Sequence, residues 1–358
     1  MRDDVVDAPQ DSARSVVDWS LAASTGAFLV RGGPSVPREE AKLAVRELRD
    51  LTVDAETHVR ELTGLGAGLP LRPGEVVDRP GWVRSAAAGL DALTGKALRS
   101  LPANPFGPLL AGSAGVQTGV VLAFLASRVL GQYDPFGGPH GEGRLLLVAP
   151  NVVTAQQTLG VPGRDFRMWV CLHESTHRLQ FTAVGWLKDY FADEVERLVG
   201  GLTGADADGL SDLLGRLPDA LREARRSKAD GVLALGQFLR SPQQRAVFDR
   251  LLALSTLLEG HADYVMDAVG PGVVPTVETI RARFTARRRG GGLLDRFLRG
   301  LLGVDAKIRQ YAQGAAFTRQ VVGQVGMAGF NAVWRSPNTL PTRAEIADPA
   351  AWIRRVHG

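Results

Sequence analysis

The stretch Cys171-Leu172-His173-Glu174-Ser175-Thr176-His177 sits inside a run of helical periodicity, predicted from Phe166 to Val195, with Trp169, Val170, Leu172, Leu179 and Phe181 among its apolar positions. Residues four apart on a helix project from one face. His173 and His177 can therefore present two imidazoles to a single Zn²⁺. Glu174 lies one position along, near enough to reach a metal-activated water without being a ligand, which is the place for a general base. In a chain of this composition the H-E-x-x-H pattern arises by chance with a probability on the order of one in two hundred. The competing reading, a solvent-facing helix with two incidental histidines, fits poorly with so apolar a run.

A catalytic zinc takes a third protein ligand and keeps its fourth position open. The segment Leu257-Leu258-Glu259-Gly260-His261-Ala262-Asp263-Tyr264 lies on a second predicted helix, Ala246–Val269, whose leucines point to burial. A glutamate inside such a run is costly unless it is paired or bound to metal. Glu259 and Asp263 share a face at i,i+4, so Glu259 can complete the ligand set while Asp263 accepts the free N–H of a ligand histidine. The pair resembles the E-x-x-x-D element of the gluzincins, which implies that Asp263 orients His173. His261 is the rival third ligand, but two residues along a helix it faces away from Glu259. Otherwise it is a proton donor on the substrate side or a surface residue. For the oxyanion of an attacked carbonyl, Tyr264, Tyr311, His261 and Arg319 are the candidate donors. Tyr311, in Lys307-Ile308-Arg309-Gln310-Tyr311, is taken as the catalytic candidate against a buried structural role.

Around these motifs the chain reads as mainly α with a small β element. Pro37–Thr63 and Trp82–Leu98 are amphipathic helices, and Leu145–Pro150 is a short apolar strand bounded by Gly and Pro. The nine residues from Gly131 to Pro139 read as a turn cluster. No charged residue occurs from Leu101 to Ser127, yet Pro, Asn and Gln interrupt the segment. A buried core helix over Leu109–Val129 is favoured there over a membrane span, with Gly112, Ala114, Gly115 and Gly119 allowing close backbone approach. Residues 1–17 are expected to form a poorly ordered tail, and 18–358 one domain.

Of the 358 residues, 45% are hydrophobic and 22% charged, an ordinary balance for a folded globular protein, and a net charge of +4 is too small to argue for a nucleic-acid binder. The single Cys171 excludes an internal disulfide, and the acidic start Met1-Arg2-Asp3-Asp4 lacks the pattern of a signal peptide, so a cytoplasmic setting is expected. Arg287-Arg288-Arg289 ahead of Gly290-Gly291-Gly292 reads as a solvated basic loop, with docking on an anionic membrane surface or nucleic acid as the less favoured option.

The stretches VLGQYDPF, LLLVAPN, CLHESTHRLQFTAVGWL, LLEGHADYVMDAVG and GFNAVWRSPNTLPTRAEIADPAAWIRRV resemble the actinobacterial type-2 zincin-like metallopeptidases. That family is often labelled as associated with biosynthesis of the deazaflavin coenzyme. The resemblance runs from about Asp18 to Val356. It implies a zincin-like, mostly helical domain and a Zn²⁺-dependent peptidase acting on a peptide or protein. A catalytically silent scaffold that keeps the fold and binds a partner is the alternative.

Overall fold

The computed structural model describes residues 16–99, 107–138, 140–203, 241–289 and 304–358. Its elements are α1 (Trp19–Leu29), α2 (Arg38–Thr63), β1 (Glu75–Val77), α3 (Arg79–Arg99), α4 (Gly107–Ala126), β2 (Gly131–Asp134), β3 (Arg144–Val148), α5 (Ala149–Leu159), α6 (Gly163–Ala183), α7 (Leu187–Thr203), α8 (Pro242–Ala268), α9 (Val277–Arg289), α10 (Val304–Phe330), α11 (Arg343–Ala347) and α12 (Pro349–His357). The mainly helical architecture with a small sheet is the one expected.

β3 is the central strand, parallel to β1 and antiparallel to β2, with Val77 opposite Val148 and Gly131 opposite Leu147. Leu145 to Val148 are all buried, and the alternation of a strand divides them between two cores. Leu145 and Leu147 join the main core of α2, α5, α6, α8 and α10. Leu146 and Val148 point the other way, into a smaller cluster with Trp82, Val83 and Ala86 of α3 and Leu122 and Ala126 of α4. The sheet thus separates two helical layers, and β2 forms one of its two edges, beside α6.

α6 is the most enclosed helix, with Phe166 and Met168 to Leu172 all buried. α2 lies along it through a stripe of Ala44, Leu48, Leu51, Ala55 and Val59 at three- and four-residue spacing. Two ion pairs fasten the helices together. Arg167 binds Glu47, and Arg178 Nε stands 3.0 Å from Glu56 Oε2.

Several expectations are corrected. The Gly131–Pro139 turn cluster begins with strand β2, because the apolar β3 supplies a partner that local sequence cannot reveal. The long helix from Phe166 breaks at Val184-Gly185-Trp186, where the Trp186 indole donates to the Trp334 carbonyl at 2.9 Å. The uncharged helix α4 is not enclosed on all sides. Gly115 and Gly119 meet the backbone of α1 at Asp18 and Ala22, as their size suggests, but Val116, Val120 and Val121 are exposed. No helix among the described residues is long and apolar enough to cross a membrane. Arg287–Arg289 close helix α9 rather than forming a loop, and Gly290–Gly292, like residues 1–15, lie outside the described residues.

Candidate metal centre

His173 and His177 rise from successive turns of α6, and Glu259 reaches them from α8, which packs alongside. The Nε2 atoms of His173 and His177 are 3.2 Å apart, and Glu259 Oε2 is 3.5 Å from the first and 3.8 Å from the second. One donor atom from each residue lies within 4.8 Å of the other two. Donors held about 2.0–2.2 Å from a tetrahedral zinc stand roughly 3.3–3.6 Å apart, so the two imidazoles and one carboxylate need shifts of only about a few tenths of an ångström to hold the ion. Of the sequence-predicted ligands, the structure brings together His173, His177 and Glu259.

The charge pattern suits a cation. Burial acts to raise the Glu259 carboxyl, but hydrogen bonds and charge from His173 and His177 override it and hold Glu259 well below the carboxylate range. Burial would lower His177, yet Glu259 and Glu174 raise it to about 9. Metal binding must therefore displace a proton from the histidine pair.

Glu174 is buried, and burial pushes its carboxyl up, opposed by His173 and His177. It lies against the first residue of β2. A Cβ built on Gly131 would stand 2.6 Å from Glu174 Cγ and 2.9 Å from its Oε1. Glycine at the start of the edge strand leaves room for this carboxylate.

The outward nitrogens of the two histidines are held differently. His177 Nδ1 is 2.9 Å from Gln180 Oε1, one turn along α6, whereas His173 Nδ1 faces Met266 Sδ of α8 at 3.3 Å. The expected Asp263–His173 contact is not formed. Asp263 is paired with Arg281 of α9, which also binds Asp267. A carboxylate finds a stronger partner in a guanidinium than in a neutral imidazole. Nor is His261 a ligand, a substrate-side donor or a surface residue. It is fully buried, stacked on Phe330 and close to Trp334, and burial lowers its pKa to about 3. Its Nδ1 is 3.0 Å from the Gln180 amide nitrogen. Sequence reasoning missed Gln180 and Met266. The position of Gln180 one turn after His177 was the available signal for the first.

A cavity of about 500 Å³ opens beside the three ligands and is lined by α3, α4, β2, α6, α7 and α8. Among the oxyanion candidates, Tyr264, His261 and Arg319 do not line it, and Arg319 is drawn toward Asp267 at 3.7 Å. The side chain of Tyr311 lies outside the described residues. Cys171 is buried with its sulfur 3.8 Å from the Leu48 carbonyl, and burial pushes its thiol well up, as an inert packing role requires.

A His-Glu-x-x-His helix joined to a glutamate from a neighbouring helix, beside a small sheet with a free edge strand, defines the zincin class of metal centre. The model of the zincin-like metallopeptidases matches residues 17–353, and the chain belongs to that family. It is also similar to the crystal structure of "a putative hydrolase with a novel fold" from Chloroflexus aurantiacus. The two chains are 30% identical, with a TM-score of 0.65 over 95% of this chain and 98% of that one. No curated protein matches.

Proposed function

We propose that this protein is a zinc-dependent hydrolase cleaving peptide bonds, with His173, His177 and Glu259 holding the metal and Glu174 acting as general base. The observation that carries this reading is the convergence of three donor atoms within 4.8 Å at the edge of a cavity that Glu174 also lines. Zinc bound there supplies an activated water and a Lewis acid for the attacked carbonyl. Glu174 takes the proton released by the water and returns it to the departing nitrogen. Its burial keeps bulk water from competing for that proton.

The choice of a peptide rests on β2. As an edge strand it has no strand partner on its outer side among the described residues, and all four of its residues line the cavity. An extended chain can add to such an edge through main-chain hydrogen bonds, which would lay a peptide bond past Glu174. Incubation of the zinc-loaded protein with a mixed-sequence peptide library tests this. Cleavage that disappears in Glu174→Gln, with zinc retained, is the expected result. An intact library would refute peptidase activity and favour the scaffold reading or a non-peptide amide substrate.

A further inference from the structure

The cavity beside the metal centre has a one-sided chemistry. Trp82, Ala86, Leu90 and Leu93 form one face of α3 at helical spacing, and Leu122 and Leu125 of α4 extend that wall. Phe136, Phe181 and Phe191, whose rings pack on one another, also line it. Among the described residues that line it there is no Lys or Arg; the charged groups there are Asp134, Glu174 and Glu259, with His173 and His177. Asp134 is not free to receive substrate. Its carboxylate accepts the Phe136 N–H at 2.9 Å and is packed against Gly89. Some 500 Å³ is within the range of pockets that bury drug-sized ligands, more than a small side chain needs.

Resting on the hydrolase reading above, we infer that the substrate places a bulky apolar group against the α3–α4 wall, next to the bond attacked, and carries no free carboxylate there. A terminal carboxylate against that wall would meet the hydrocarbon of α3 and α4, with no described Lys or Arg lining the cavity to pair with it. The fitting substrate is an internal peptide bond beside a leucine- or phenylalanine-sized residue, and carboxypeptidase action is disfavoured.

Binding of small hydroxamates to the zinc-loaded protein, measured by calorimetry, tests the pocket without relying on turnover. A hydroxamate bearing an isobutyl or benzyl group should bind at least about tenfold more tightly than acetohydroxamate, the factor expected for burying such a group. It should also bind more tightly than succinyl monohydroxamate. Ala86→Trp, which fills the wall, should abolish the advantage. Leu90→Arg, at a rim position 36% exposed and so tolerant of substitution, should raise affinity for the succinyl probe. Equal binding of all probes, or a wild-type preference for the carboxylate, would overturn the inference. Selective probe binding without cleavage of any peptide would instead overturn the catalytic reading alone.

A separate observation lies behind His177. The Gln180 amide nitrogen is 3.0 Å from the Leu258 carbonyl and 3.0 Å from His261 Nδ1. A carbonyl can only accept, so this end of the side chain is the NH₂ group, and Oε1 faces His177. His177 must then carry a proton on Nδ1, so that with zinc bound it is the Nε2 lone pair that faces the metal. His261, receiving the amide, must have a bare Nδ1. The geometry points to Gln180 and His261 as positioning residues that fix the His177 tautomer for zinc binding. Long-range ¹H–¹⁵N correlation spectra of the ¹⁵N-histidine-labelled, zinc-loaded protein should show His177 protonated on Nδ1 and His261 on Nε2. Gln180→Met should weaken zinc binding in chelator competition by roughly 10–100-fold. A His261 protonated on Nδ1, or a folded Gln180→Met with wild-type zinc affinity, would overturn the assignment.

Discussion

Gly131 backs directly onto Glu174: a Cβ at position 131 would lie 2.6 Å from the glutamate Cγ, closer than carbon atoms approach. Strand β2 and helix α6 therefore meet at the proposed general base. Gly131→Ala must push the Glu174 carboxylate away from its place beside His173 and His177. A shift of about 1 Å in a reacting group costs on the order of a hundredfold in rate. The expected outcome is a kcat lowered by about that factor with zinc content unchanged, measured by steady-state kinetics alongside metal analysis. Retention of full kcat would mean that Glu174 does not act from this position.

The proton balance of the metal-free site sets a pH dependence. His177 is raised to about 9 by Glu259 and Glu174 against the opposing effect of burial, while Glu259 is already ionised well below neutrality. Zinc must therefore displace one proton below about pH 9. Apparent zinc affinity should rise about tenfold per pH unit from pH 6 toward 9 and then level off. Glu259 adds no slope in that range. The same shift has a sign for the metal-free fold. Its stabilising contribution is fully present below the unfolded histidine pKa and is lost as pH rises through 9. Chelator competition at a series of pH values checks the first statement, and a flat profile would contradict it.

Asp263 offers a test that separates structure from sequence pattern. Its partner is Arg281, and His173 Nδ1 instead faces Met266 Sδ at 3.3 Å. Asp263→Asn should leave zinc affinity within about threefold, whereas loss of a ligand-orienting carboxylate costs 10–100-fold. The stability loss should be modest, about 1 kcal/mol, because the pair is partly exposed and Arg281 keeps Asp267. Zinc titration and urea denaturation of the one variant measure both quantities.

The legible parts of this molecule are those where a local period reports burial. The helices around Leu48, Trp82, His173 and Leu257 follow from apolar spacing alone, and β3 follows from its short run of four buried residues. The candidate ligand cluster was readable because two histidines at i,i+4 and a glutamate in an apolar helix are costly without a shared purpose. What the sequence hid depends on partners distant along the chain. β2 becomes a strand only because β3 pairs with it, and Pro150, which looks like the end of a strand, stands in the first turn of α5. Asp263 had the right spacing, but nothing local announced that Arg281, 18 residues later, would claim it. His261 could not be identified as a buried anchor without Phe330 and Trp334, which arrive from the far end of the chain.

His173, His177 and Glu259 stand close enough to serve as the three protein ligands of one zinc ion. Metal analysis of the purified protein, with His173→Ala in parallel, addresses that role most directly. The account predicts close to one equivalent of zinc in the wild type and its loss in the variant. Less than about half an equivalent after zinc loading, or a zinc content unchanged in His173→Ala, would contradict it.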